Sequence, residues 1–314
     1  MVRLLAAGLL LAVSLGACAR PAAEAPAPAP AAAADPQHVR EIEEWRAKRD
    51  ARLRSDDSWL TLAGLFWLKP GDNRFGSAAD NEILLPASAP AHAGALAVEG
   101  EQVTLRAETG AGVQIDGKEV TTAALVSDKA ADPTVVRIGP VSFYVIVREG
   151  KLAARVKDNE SAVRKNFTGM EYFPVSDKWR VTARLEPYVP EKTIPVPNIF
   201  GRLEDSKSPG ALVFEIDGKT YRLDPVWEEG STDYFILFGD QTNGKETYGG
   251  GRQLYAAPAG PDGTTIVDFN KAYNLPCVFT PYATCPLPPP QNKLALRVEA
   301  GEKRYAHEAA HPKP

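Results

Sequence analysis

The sequence predicts a mostly β fold: two packed antiparallel β domains, one a sandwich and the other a sandwich or barrel, preceded by a single helix. Three observations predict it. Short runs of alternating apolar and polar residues recur at about ten-residue spacing between turn residues, which suits antiparallel sheets better than alternating strands and helices. The chain carries 27 prolines and 25 glycines against two methionines, a surplus of turn formers. Helical periodicity is confined to the stretch before Trp59. At 314 residues, 44% hydrophobic and 24% charged, the chain suits one large or two ordinary globular domains. A net charge of −4 without a basic run excludes a nucleic-acid backbone binder. Three cysteines cannot staple a fold of this size, so apolar cores must hold it.

Residues 1–17 stand apart from the fold. Arg3, the apolar run Leu4 to Val13 and the small residues after it make a signal peptide, its apolar core far short of the roughly 20 residues of a spanning helix. Leu15-Gly16-Ala17-Cys18 resembles the lipobox of bacterial lipoproteins, which implies cleavage before Cys18 and lipidation of that cysteine. Plain secretion with cleavage near Ala17 is the alternative. Ala19 in place of an aspartate implies, by the same resemblance, the outer membrane of a bacterial envelope, facing the periplasm. Residues 19–36 hold ten alanines and five prolines, so 18–36 read as lipid anchor and extended tether.

Asp35 and Pro36 form a helix start, a capping side chain and then a first-turn proline. Glu41, Glu43 and Glu44 come early and Lys48, Arg49, Arg52 and Arg54 late, an order that complements the helix dipole. Val39, Ile42, Trp45 and Leu53 give a broken apolar stripe, so residues 37–57 are expected as a surface helix packed on the body, with a partner-binding helix as the alternative.

Residues 58–165 read as the first β domain. Val103, Leu105 and Ala107 alternate with polar neighbours, Val113 and Ile115 lead into Asp116-Gly117, and Val141, Phe143, Val145 and Val147 follow Gly139-Pro140. Leu68, Gly71, Phe75-Gly76-Ser77, Asp80, Ile83-Leu84-Leu85, Ala91-His92-Ala93-Gly94, Val113, Ile115-Asp116-Gly117, Leu125, Ile138-Gly139 and Phe143 together resemble a forkhead-associated sandwich. That family reads phosphothreonine with an arginine, a serine and an asparagine at positions held here by Ser77, by Ala89 or Pro90, and by Asp116. Without the arginine there is no bidentate phosphate clamp, so the resemblance implies the fold and not the activity. His92 is expected to be packed rather than to bind a ligand.

Residues 166–306 read as a second β domain, and 307–314 as a tail. Trp179, Val181, Ala183 and Leu185 alternate with polar residues, Leu212 to Leu223 form a hairpin about Asp217-Gly218, Tyr234 to Phe238 is a buried run, and Leu294, Leu296 and Val298 are expected to close the chain as a strand. Phe238-Gly239-Asp240, Thr247-Tyr248-Gly249-Gly250-Gly251-Arg252, Asp268-Phe269-Asn270, Tyr273-Asn274, Cys277, Cys285-Pro286-Leu287-Pro288-Pro289, Asn292 and Glu299-Ala300-Gly301-Glu302 resemble the family known as domain of unknown function 1684. The resemblance runs from about Trp45 to Lys303 and implies bacterial and archaeal relatives, some anchored, with no established chemistry.

This polar, glycine-rich cluster is the candidate site. Arg252 would clamp an anion with Asp268 as counter-charge, Asn270, Asn274 and Asn292 would offer neutral hydrogen bonds, Tyr248 a ring or hydroxyl, and Glu299 a second carboxylate. The same residues also suit turns that satisfy their own backbone, with Arg252 paired to Asp240 or Asp268. Two functions follow: a binding or assembly module for a small molecule or an envelope protein, or a hydrolase of a small anionic substrate with Asp268 or Glu299 as base. Cys277 and Cys285 enclose a short loop for which a disulfide is the natural reading and a metal site the rival, disfavoured because no histidine is near. His307-Glu308-Ala309-Ala310-His311 matches a zinc-protease pattern but sits in the tail before Pro312. Gly239 to Lys245 resembles a phosphate loop, yet Glu246 replaces its serine or threonine and no helix can follow Gly249 to Gly251. No cofactor, metal or nucleic acid is expected. The expected partners are the membrane, through the anchor, and such a ligand or protein.

Overall fold

The computed structural model describes residues 34–306. The signal peptide, Cys18, most of the tether and the 307–314 tail lie outside the described residues. Helix α1 spans Pro36–Arg54, and the Asp35 carboxylate accepts from the Gln37 N–H at 2.8 Å, as a capping residue should. It ends at Arg54, within the 37–57 segment, because the Ser55 N–H turns back to the Arg52 carbonyl. His38, Ile42 and Leu53 form its buried face. Among the described residues no helix is long and apolar enough to cross a membrane.

The chain then forms β1 (Leu62–Trp67), β2 (Gly71–Gly76), β3 (Ile83–Leu84), β4 (Gly94–Glu99), β5 (Gln102–Ala107), β6 (Gln114–Ile115), β7 (Lys118–Glu119), β8 (Thr122–Leu125), β9 (Val136–Ile138), β10 (Val141–Arg148) and β11 (Lys151–Asp158). They make two sheets, ordered β3-β2-β4-β5-β8 and β1-β11-β10-β9-β6-β7, which share one apolar core. Phe75 from one sheet meets Phe143 from the other at 5.2 Å between rings. Asp116 and Gly117 turn β6 into β7 with φ of 52° and 73°, the left-handed pair that an Asp-Gly turn supplies at least cost.

A short helix α2 (Ala162–Lys165) leads to β12 (Arg180–Pro197), β13 (Leu203–Ile216), β14 (Lys219–Leu223), β15 (Tyr234–Phe238), β16 (Arg252–Ala256), β17 (Thr264–Asp268) and β18 (Tyr273–Asn274). Their sheets are ordered β14-β13-β12-β17 and β15-β16-β18. Alternation on β12 buries Val181 and Ala183, opposite Val267 and Thr265 of β17. All five residues of β15 are buried. Tyr234, Ile236 and Phe238 face the second core, while Phe235 and Leu237 face a third, built with Leu53, Leu60, Leu62, Leu275 and Phe279. An uninterrupted apolar strand is what a sheet covered on both sides requires. The third core ties the helix and β1 to the second body, and the described residues fall in one compact unit.

Two expectations are corrected. Leu294 to Val298 is not a strand, because its neighbourhood is bound by a loop and a side chain instead of a ladder: the Gln241 N–H takes the Leu296 carbonyl at 2.9 Å, and Arg252 takes the Val298 carbonyl at 2.9 Å. His92 is not packed; its ring is 57% exposed and sits 3.0 Å from the Asp80 carboxylate. The cysteine alternatives resolve to a disulfide between Cys277 and Cys285, with Cα atoms 6.3 Å apart. Among the described residues there is no group of three side chains that could hold a metal.

Candidate functional site

The signature residues are brought into the second body but not into one cleft. Arg252 opens β16 with no exposed surface; its Nη2 meets Asp240 Oδ2 at 2.6 Å and its Nη1 donates to the Ala300 carbonyl. Asp268 ends β17, accepting from the Asn270 N–H at 3.0 Å with one oxygen and lying 2.9 Å from His38 Nε2 with the other. Asn270 brackets Ser176, accepting from its N–H at 3.1 Å and donating to its carbonyl at 3.0 Å. Asn274 donates through its carboxamide to buried Glu302 at 3.0 Å, which Arg49 of α1 also holds at 3.0 Å. Asn292 grips Asp224 through the N–H at 2.8 Å and the carbonyl at 2.9 Å. Tyr248 is buried in the third core, and Glu299 is exposed, paired with Arg297 at 2.9 Å.

These are internal ties, and those of Arg252 and Asn274 meet at Glu302, whose carbonyl Arg252 Nη1 reaches at 3.4 Å. Each uses a polar side chain to satisfy backbone or charge that folding has removed from water. Arg252 cannot clamp a substrate in the hydrolase arrangement, since its guanidinium is spent on Asp240 and on carbonyls of the 298–300 segment, and neither Asp268 nor Glu299 approaches it by hydrogen bond or ion pair among the described residues.

The cavity with binding chemistry lies elsewhere, between the two β bodies. It encloses about 690 Å³ and is walled on one side by β10, β11 and the Asp57–Trp59 turn, and on the other by β15, β16, β18 and the 283–286 segment. Alternation on β11 puts Arg155 and Lys157 on one outward face, with Tyr144 and Ser142 of β10 directly across from them. Arg155 is only 3% exposed. Its Nη2 donates to Thr284 Oγ1 at 3.2 Å across the cleft, its guanidinium lies 5.8 Å from the Trp59 ring, and its buried Nε has no partner among the described residues. Ser58, also 3% exposed, has an unpartnered Oγ in the same wall. The Lys157 ammonium donates to the Asp57 carbonyl at 2.8 Å, and burial pushes its pKa down, against the pull of Asp57. Facing them, Tyr255 stacks on Phe235 and donates to Glu228. Burial raises the Tyr255 phenol and pushes Tyr273 up to about 12, so both remain neutral donors.

Sequence reasoning passed over Arg155, Lys157, Ser58 and Tyr255. The available signal was weak: two cations at alternate positions of a strand, with no acid between them.

The chain matches the family model described as protein of unknown function (DUF1684) over residues 165–303. That span is narrower than the resemblance read from Trp45 onward and omits the first β body. Among solved structures, the solution NMR structure of an uncharacterized protein of Haloarcula marismortui is 30% identical, over 45% of this chain and 78% of that chain, with a TM-score of 0.38. The curated proteins give no match.

Proposed function

Taking as premise that the chain belongs to the DUF1684 family of proteins of unknown function, we propose that it is a binding module that holds a small anionic ligand in the cleft between its two β bodies. One observation carries this reading: Arg155 is almost wholly buried in the cleft wall and forms no ion pair among the described residues. Burying a guanidinium without a counter-charge costs several kcal/mol, of order 3 or more, and an entering anion supplies what is missing. The neighbouring Lys157 adds a second cation that reaches a carbonyl rather than a carboxylate.

On this proposal the module sits on a bacterial cell envelope, held to the outer membrane by a lipid on Cys18 and facing the periplasm. The Leu15-Gly16-Ala17-Cys18 sequence supports the anchor, and the Cys277–Cys285 disulfide suits an oxidising compartment. The landmark order through residues 58–165 supports a forkhead-associated type of sandwich, but its phosphothreonine-reading positions are not the proposed site: the Ser77 hydroxyl is committed to the Ala89 carbonyl at 2.8 Å.

Thermal unfolding with sulfate, phosphate, citrate and glucuronate tests the reading. At least one anion should raise the melting temperature of the wild type through mass action and leave Arg155→Met unmoved. A wild type indifferent to all four would overturn it. In cells, Cys18→Ser should move the protein from the membrane to the soluble fraction, and unchanged fractionation would remove the anchor from the proposal.

A further inference from the structure

We propose that the ligand of this cleft is a sugar phosphate, its phosphoryl group seated on Arg155, Lys157 and Ser58 and its ring held between the aromatic walls; this rests on the anion-binding reading above. The charge count points to a phosphomonoester. Arg155 and Lys157, neighbours on one face of β11, lack a carboxylate within ion-pair distance among the described residues, so a phosphate dianion seated on that strand matches both, while Glu204 and Glu228, which also line the cleft without an ion pair, are left for the uncharged part of the ligand. The donor count agrees. A planar guanidinium fork, an ammonium and the Ser58 hydroxyl suit a tetrahedral group with three terminal oxygens, and two of their atoms, Arg155 Nε and Ser58 Oγ, are buried without a hydrogen-bond partner among the described residues.

The rest of the cleft has different chemistry. Trp59 on one wall and Tyr255 on the other are each more than a third exposed, and they offer faces for the C–H surface of a saturated ring. Around them Glu204, Glu228 and Gln253 offer acceptors. Several acceptors set beside aromatic faces fit a ring with many hydroxyl donors better than a nucleobase, which brings a single exocyclic amine or none. At about 690 Å³ the cleft falls within the usual size range of small-molecule sites.

Calorimetric titration of the full-length protein with α-glucose 1-phosphate, glucose, inorganic phosphate, citrate and AMP tests this. Glucose 1-phosphate should bind tightest, inorganic phosphate about 10-fold more weakly, and glucose undetectably. Arg155→Met should weaken glucose 1-phosphate by about 10- to 100-fold; Ser58→Ala, a smaller change that removes only an orphan hydroxyl, should weaken it by about 3- to 10-fold if the arginine variant misfolds. If inorganic phosphate or citrate binds in an Arg155-dependent way but glucose 1-phosphate is no tighter, or AMP is tighter, the sugar phosphate is wrong and the anion module stands. If none of the four anions binds, both fall. Retention on vesicles carrying phosphatidylinositol 4-phosphate, without binding of free glucose 1-phosphate, would also overturn the proposal, because it commits to a soluble ligand.

Discussion

Arg155 and Arg252 are both buried arginines, and their surroundings make opposite predictions. Arg252 lies against Asp240 with both side chains fully buried, so removing one partner strands a charge that water cannot reach. Asp240→Ala should therefore destabilise the protein by about 3–5 kcal/mol in denaturant titration, and a loss under about 1 kcal/mol would contradict the pairing. Arg155 has no such partner, and an apolar side chain of similar volume removes a desolvation cost. Arg155→Met should leave the ligand-free protein as stable or raise it by about 1–2 kcal/mol while weakening anion binding by about 10- to 100-fold, the trade expected where a binding site is held at the expense of stability. Lys157 adds a pH signature. Because burial lowers its pKa, it loses its charge below the ordinary lysine value of about 10.4, so phosphate affinity should fall as pH rises toward that value. Lys157→Arg should flatten the profile; an unchanged slope would show that another group titrates.

At the scale of elements, the start of α1 is tied to the second body by a histidine, as Arg49 and Leu53 tie its later turns. His38 is 2% exposed, with Nδ1 2.6 Å from Asp177 Oδ1 and Nε2 2.9 Å from Asp268 Oδ2. The bond to His38 holds the Asp177 carboxyl below the usual carboxylate range, helped by the Asp35 N–H. A carboxylate with a depressed folded pKa contributes stability that is present above its unfolded value of about 3.9 and is lost as pH falls through the lower folded value. Amide exchange at acid pH should therefore show α1 losing protection before β10, and His38→Gln should bring that loss to neutral pH; simultaneous loss in both elements would refute the tie. Much of this level is legible in the sequence. Asp35 announces the cap, Asp116-Gly117 and Asp217-Gly218 announce their turns, and the alternation from Trp179 marks β12. The polar signature left two readings open, and the Arg252–Asp240 pair and the Asp268–Asn270 turn follow the internal one, at separations of 12 and 2; the longer ties, 230 residues from His38 to Asp268 and 46 from Arg252 to Val298, gave no local signal. Local spacing gives residue types without saying whether they face a ligand or each other.

At the scale of the molecule, the cleft could not be read in advance because period-two alternation reports only which side of its own sheet a residue occupies. Arg155 and Lys157 fall on the outer face of the first sandwich, the side that would ordinarily meet water. Only the second body, packed over that face through the third core, turns it into a cavity wall. The family match covers one wall and not the other: Ser58, Arg155 and Lys157 lie outside the matched span 165–303, while Phe235, Tyr255 and Thr284 lie within it. The disulfide sits in the second wall, since Thr284, to which Arg155 donates across the cleft, directly precedes Cys285. A loop this small, closed at a sequence separation of 8, should contribute about 2–3 kcal/mol through restriction of the unfolded chain. Reduction should therefore lower global stability by that amount. It should also weaken inorganic phosphate binding at temperatures where the protein remains folded, because the opposing wall loses its covalent brace. A Cys277→Ala, Cys285→Ala double variant separates the two effects: lower stability with unchanged phosphate affinity would make the disulfide a folding device alone, whereas a parallel loss of affinity in the folded state would make it part of the wall that keeps Thr284 against Arg155.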